Sequence, residues 1–364
     1  MFAMVMRFLG FALLLVVGCS QPNPAPATRE SSAAPNAVLI DPIATLGANR
    51  LTHLASSSAG LFFVQEEDGG GDHVRRLSDL DAPLDTGLSG LAIGRAIGHP
   101  LVVGNIQALA ADANRLYFFF AGADHGATVA CAGWFDISTG NIQILADAAK
   151  LAQLIGSRQT LSICRPEMAA SGNVVWLWLH SLAGSSFLQI DPTDANLATA
   201  ISRPFDELTV DLVQPDFTHE DYAAGGGADG SLLIEDRWLG AMWQIAPRGH
   251  TLQIASLTSL PHGLSAPAEG ADGKIAIFAA AGPAVVPRED SPHPPTIGAV
   301  NYPALLLYHD QQFDSFGQAT LHGQADFPVA KLALSALVLS PDQSGWIAYD
   351  PPTGELFRLR LGTR

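Results

Sequence analysis

One stretch occurs twice in this chain, and it restricts the fold more than anything else in the sequence. It begins His219-Glu220-Asp221-Tyr222 and runs through Gly225-Gly226-Gly227-Ala228-Asp229-Gly230-Ser231-Leu232-Leu233-Ile234. It returns as His262-Gly263-Leu264 and then Glu269-Gly270-Ala271-Asp272-Gly273-Lys274-Ile275-Ala276-Ile277. His219 and His262, and likewise Gly230 and Gly273, stand 43 residues apart. A short strand, an Asp-Gly turn and an apolar strand open a propeller blade, and a period of this size is the one that blades produce.

Six places share the pattern. Their turns are Ala59-Gly60, Ala113-Asn114, Gly172-Asn173, Asp229-Gly230, Asp272-Gly273 and Ser344-Gly345. Each is followed by a β-branched, aromatic or leucine-rich run such as Leu116–Phe120 or Val174–Leu179. A second hairpin signal comes later in most units, as in Asp136-Ile137-Ser138-Thr139-Gly140, Asp191-Pro192 and Thr353-Gly354. The spacing of the six turns varies from 43 to 72 residues, so the loops carry insertions. The last unit lacks a fourth strand, and Ala37-Val38-Leu39-Ile40 is suited to supply it. A strand lent by the N-terminus closes a ring and removes an exposed edge. The expectation is an all-β chain: a β-propeller of six blades, its ring closed by that N-terminal strand. A seven-bladed ring and a two-sheet sandwich are the alternatives. Only Ala148–Ile155 reads as helical. Trp176-Leu177-Trp178 reads as packing between blades, with a carbohydrate platform as the lesser reading.

The N-terminus is a sorting signal. Arg7 precedes the apolar run Phe8–Val17, which is too short to cross a bilayer as a helix. The run ends Val16-Val17-Gly18-Cys19. This resembles the lipobox of bacterial lipoproteins. The resemblance implies cleavage after Gly18, lipid on Cys19 and, with Ser20 following, transfer to the outer membrane. Acyl chains on Cys19 would then make the membrane a partner. Residues 20–36 are rich in proline, alanine and serine and read as a tether. The division expected is 1–18 signal peptide, 19–36 lipidated cysteine and tether, and 37–364 propeller. Without Cys19 two cysteines remain, Cys131 and Cys164. An oxidising compartment favours their pairing as a disulfide, and two small buried apolar residues are the other reading.

Leu260-Pro261-His262-Gly263-Leu264 with Gly270-Ala271-Asp272-Gly273-Lys274-Ile275-Ala276-Ile277 resembles a blade opening of the NHL and streptogramin-lyase-like propellers. The resemblance covers about twenty residues and concerns fold rather than activity.

The formal charge of −16 leaves no basic patch for phosphates, which excludes nucleic acid as a partner. A cationic ligand, a metal ion or a basic protein stays compatible with it. There is no Gly-x-Ser-x-Gly elbow, phosphate loop or dinucleotide fingerprint. In a blade, the loop into the first strand and the loop between the second and third lie on one face. That places His53, His219 and His262 together with His73, His125, His180 and His293 on the same side as the acidic run Glu66–Asp72.

Two function classes follow. The first is a binding or scaffold protein whose loop face docks an envelope protein or glycan, with the proline-rich Pro283–Pro303 insertion as part of that surface. The second is a hydrolase or lyase using a divalent metal at the channel mouth, with His53, His219, His262 and Asp221 as ligands and Glu220 or Asp221 as base.

Overall fold

The computed structural model describes residues 37–362 apart from 155–164, 191–200, 205–221, 257–265, 280–303 and a number of shorter stretches. The chain is all-β, built from several four-stranded antiparallel sheets. After β1 (Ala37–Thr45), the strands β2 (Leu51–Ser57), β3 (Gly60–Glu67), β4 (Gly71–Leu77) and β5 (Leu84–Ser89) pair in chain order as a first meander. A short helix α1 (Gly90–Ala96) leads to the second meander: β6 (Val103–Ala111), β7 (Arg115–Asp124), β8 (Ala127–Asp136) and β9 (Ile142–Asp147). Helix α2 (Ala148–Leu154) precedes the third: β10 (Arg165–Ser171), β11 (Val174–Ser181), β12 (Gly184–Ile190) and β13 (Ile201–Pro204). The fourth holds β14 (Tyr222–Gly226), β15 (Leu232–Asp236), β16 (Ala241–Ile245) and β17 (Thr251–Ser256). The fifth holds β18 (Ala268–Glu269), β19 (Ile275–Ala279), β20 (Ala304–His309) and β21 (Gln312–Phe316).

The last sheet has six strands. In chain order they are β1, β22 (Gln318–Leu321), β23 (Gln324–Pro328), β24 (Ala336–Leu339), β25 (Trp346–Asp350) and β26 (Glu355–Gly362). Their spatial order is β23-β22-β1-β26-β25-β24. Strand β1 pairs antiparallel with β26 from Ala37↔Gly362 to Thr45↔Glu355. On its other side it pairs parallel with β22, from Val38↔Ala319 to Ile40↔Leu321.

The second strands explain why sheets form here at all. β7 reads Leu-Tyr-Phe-Phe-Phe over 116–120, and every one of these side chains is buried. An unbroken apolar run marks a strand covered on both faces. Alternation divides it: Leu116, Phe118 and Phe120 join the core shared with the first sheet, and Tyr117, Phe119 and Ala121 the core shared with the third. β11 does the same. Val175, Leu177 and Leu179 face the second sheet, while Trp176 and Trp178 face the fourth. Trp178 stacks on Phe187 with ring centroids 5.5 Å apart, and Trp176 Nε1 donates to the Gly230 carbonyl at 2.9 Å. The tryptophan pair is therefore packing between sheets. Leu61, Phe63 and Leu77 of the first sheet in turn share a core with Ile347, Tyr349 and Leu356 of the last.

The first strands of the sheets lie side by side: β2 against β6, β6 against β10, β10 against β14, β14 against β18, β18 against β24 and β24 against β2. Turn chemistry agrees with the sequence reading. Gly230 (φ 90°) and Gly273 (φ 76°) occupy the left-handed region that the Asp-Gly turns require. Asp229 Oδ1 accepts the Ser231 N–H, and Asp272 Oδ1 the Lys274 N–H.

Two elements differ from expectation. Helix α1 is absent from the sequence reading because Gly90 and Gly94 lower its apparent propensity. It forms because Ser89 caps it, Oγ accepting the Ala92 N–H at 3.2 Å, and because the glycines let neighbours approach closely. The β22–β23 hairpin is polar and lacks alternation, yet it pairs along the outer side of β1.

Candidate functional site

Register identifies one end of the sheets as common ground. Leu51, where β2 begins, pairs with Gln65 near the end of β3, and Glu66 pairs with Asp72 across the following hairpin. In the second sheet Val103 pairs with Ala123, beside the His125-Gly126 turn, and in the third Arg165 pairs with His180. His53, His73, His125 and His180 therefore sit at the same end of their sheets. His219, His262 and Asp221 lie outside the described residues, as do His293 and Cys19.

A cleft of about 340 Å³ opens at this end, between the first strands of three successive sheets. β2 contributes Thr52 and His53, β3 Glu66, β4 Asp72, β6 Asn105, Ile106 and Gln107, and β10 Pro166. Local irregularity positions several of them. The β2–β3 register slips between Leu51 and His53, and the β6–β7 register slips between Ile106 and Ala108. A slipped residue turns its side chain away from the regular alternation, a common device for aiming groups at a site.

Asp72 is 4% exposed, and its Oδ2 accepts the Ile106 backbone N–H at 2.7 Å. It ties β4 to β6 at the irregular position. Desolvation raises its pKa, helped by the negative charge of Glu66 and opposed by the Ile106 hydrogen bond and by His73. Burial lowers the His53 pKa to about 4. The His53 residue as a whole is only half-buried by accessible surface, so the imidazole is neutral at physiological pH and still open to the cleft.

The other polar groups of the cleft differ from those elsewhere on the molecule. Elsewhere in the first two sheets and the loop between them, His73 Nδ1 and Arg75 Nη1 share Asp85, at 3.2 and 3.5 Å, and His99 Nδ1 meets Asp124 Oδ2 at 2.7 Å. Asp112 accepts from the Tyr117 hydroxyl and from two backbone N–H groups. The side chains of Thr52, His53, Glu66, Asn105 and Gln107 make no hydrogen bond or ion pair with the protein among the described residues. Solvent-facing polar side chains gathered in a concavity can bond a ligand without giving up internal bonds.

Of the residues expected at a metal centre, His53 alone is described, and it lines the cleft. Among the described residues no group of three or more His, Cys, Asp or Glu is placed to hold a metal ion. Glu66 and Asp72 belong to the acidic run already assigned to this face. Thr52, Asn105 and Gln107 were not singled out by sequence reasoning. Their signal is faint: polar residues alternating at the start of first strands, just before the apolar Ala108–Ala111. Cys131 is a free, fully buried thiol on β8, its pKa pushed up to about 12 by burial and by Asp147. Cys164 lies outside the described residues.

No family model matches the chain, and no curated protein matches it. Among solved structures, a protein of unknown function from Bacteroides thetaiotaomicron is similar with a TM-score of 0.51 at 12% identity, covering 90% of this chain and 76% of its own. A streptogramin B lyase gives 0.46 at 11% identity, with 90% and 98% covered. Virginiamycin B lyase from Staphylococcus aureus gives 0.44 at 8% identity, with 89% and 99% covered. At such identities the likeness concerns fold, and no activity is carried across with it.

Proposed function

We propose that this chain is a lipid-anchored β-propeller of six blades in the bacterial cell envelope, and that it works as a binding protein through the face holding the His53 cleft. The ring reading is supported by the cyclic order of first strands, which returns from β24 to β2, and by β1 serving as the strand beyond β26. Anchoring through Cys19, placement at the outer membrane and an envelope protein or glycan as partner extend the reading from the lipobox resemblance.

The observation that carries the binding function is the set of unpartnered polar side chains in the cleft. These side chains are exposed or partly exposed and converge in one concavity, so they are free to bond a ligand there without first breaking a bond within the protein. The test is thermal denaturation of the purified protein against a panel of small polar molecules and envelope glycans. A ligand that binds only the folded state raises the midpoint in a concentration-dependent way. The rise is expected to vanish when Asn105 and Gln107 are both replaced by Ala. A panel without effect, together with envelope partners captured equally well by that double variant, would refute binding through the cleft. Replacement of Cys19 by Ala is expected to abolish labelling with radioactive palmitate and to release the protein from the membrane fraction.

A further inference from the structure

The lining of the cleft also states a charge preference. Its side chains offer two carboxylates, two amides, one hydroxyl and one imidazole, and no Lys or Arg lines it. Asp72 has one oxygen committed to the Ile106 N–H, whereas the Glu66 side chain is exposed and bonds none of the described residues. Arg75, on the neighbouring strand β4, is paired with Asp85. His53 adds an acceptor nitrogen without adding positive charge.

A ligand entering such a cleft meets a surplus of acceptors and a lining that carries negative but no positive charge. An anion is repelled by Glu66, and a purely apolar molecule strands every polar group. A metal ion is poorly served, since no three ligating groups converge among the described residues. A planar or tetrahedral N–H cation satisfies several spaced acceptors at once. The volume, about 340 Å³, corresponds to roughly ten water molecules at ~30 Å³ each and so admits a short molecule.

We infer that the cleft takes a small organic cation carrying an amine or guanidinium group, with Glu66 as its counter-charge and His53, Asn105, Gln107 and Thr52 as hydrogen-bonding partners. The inference rests on the reading of the cleft as a binding site.

The experiment is calorimetric titration of the purified protein with three probes of similar size: agmatine as the cation, N-acetylglucosamine as the neutral molecule and glucuronate as the anion. Agmatine is expected to bind with one-site stoichiometry, to weaken about tenfold or more in Glu66→Gln, and to weaken with added salt. Glu66 is exposed and makes no internal bond, so this variant leaves folding unchanged; its urea midpoint serves as the control. N-acetylglucosamine binding that is lost in the Asn105→Ala, Gln107→Ala variant, with agmatine inert, would overturn the cation while keeping the binding cleft. Agmatine binding that is equal in wild type, Glu66→Gln and the double variant would place the cation elsewhere and overturn the inference. Silence from all three probes would remove both the cation and the cleft reading.

Discussion

His53 makes the cleft acid-sensitive, and the sensitivity has a size. Its pKa is about 4 in the folded protein and 6.5 when exposed. The unfolded chain therefore binds more protons between these values, and falling pH favours unfolding. His53 contributes its full stability above about pH 6.5, and that contribution disappears progressively toward pH 4. A tenfold difference in proton affinity between the two states is worth about 1.4 kcal/mol. From about pH 7.5 to about pH 4.5 the loss assigned to this one residue is about 2 kcal/mol, allowing for its partial exposure. Asp72 opposes it. Burial raises that carboxyl, so protonation of Asp72 favours the folded state as pH falls through its folded pKa.

The perturbation that separates the two is His53→Gln, which is neutral at every pH and breaks no internal hydrogen bond. Urea denaturation followed by tryptophan fluorescence is the assay. At about pH 7.5 the variant and wild type should agree within about 0.5 kcal/mol. At about pH 4.5 the variant should be the more stable of the two, by about 2 kcal/mol. An NMR titration should place the His53 imidazole midpoint near 4. A stability difference that stays constant across this pH range, or an imidazole titrating near 6.5, would refute the argument that His53 is desolvated.

Other consequences are open to direct measurement. Asp72→Ala leaves the Ile106 N–H unpaired between β4 and β6 and should cost about 1–3 kcal/mol, with Asp72→Asn costing less because it keeps an acceptor; matched urea curves check the order. Val38 and Ile40 on β1 are fully buried, so replacing either by Ala should cost about 1–4 kcal/mol, and losses of only a few tenths would contradict β1 as a structural part of the last sheet. Gly104 and Gly122 face each other across β6 and β7, and a Cβ on Gly104 would stand 2.5 Å from the Ala121 carbonyl oxygen. Gly104→Ala should therefore destabilise by about 2 kcal/mol or more, read as a lowered thermal midpoint. The buried Cys131 thiol, with its pKa near 12, should resist a disulfide reagent such as DTNB in the native protein and react only after unfolding.

The parts of this fold that were legible are those with a local cause. Asp-Gly turns at Gly230 and Gly273 need a left-handed backbone, and the chain supplies glycine there, directly after an aspartate whose carboxylate holds the turn. The run Leu116–Phe120 declares a strand covered on both sides by its composition alone. Helix α1 and the β22–β23 hairpin were illegible because their cause is not local. One is held by a cap and tight glycine contacts, the other by an edge that β1 provides from 280 residues away in sequence (Val38 to Gln318). The end of the sheets at which His53 sits was legible because the loop into a first strand and the loop between the second and third strands share one face. Asn105 and Gln107 look like ordinary surface residues in sequence. What distinguishes them is that they line the cleft, and only three-dimensional placement reveals that.

The direction of β1 sets the side of the molecule from which residues 1–36 depart. Thr45 ends this strand beside the β25–β26 turn, where the Leu46 N–H bonds the Gly354 carbonyl, and Leu51 follows at the cleft end of β2. Ala37, at the other end of this nine-residue extended strand, is roughly 30 Å distant at ~3.3 Å per residue. Were Cys19 lipidated as proposed, the attachment would lie on the side of the molecule away from the cleft. A flexible linker of the length of residues 20–36 would span about 23 Å on average and about 60 Å when taut. Anchored as proposed through Cys19, the molecule would present the Ala37 side to the bilayer and the cleft to the solution.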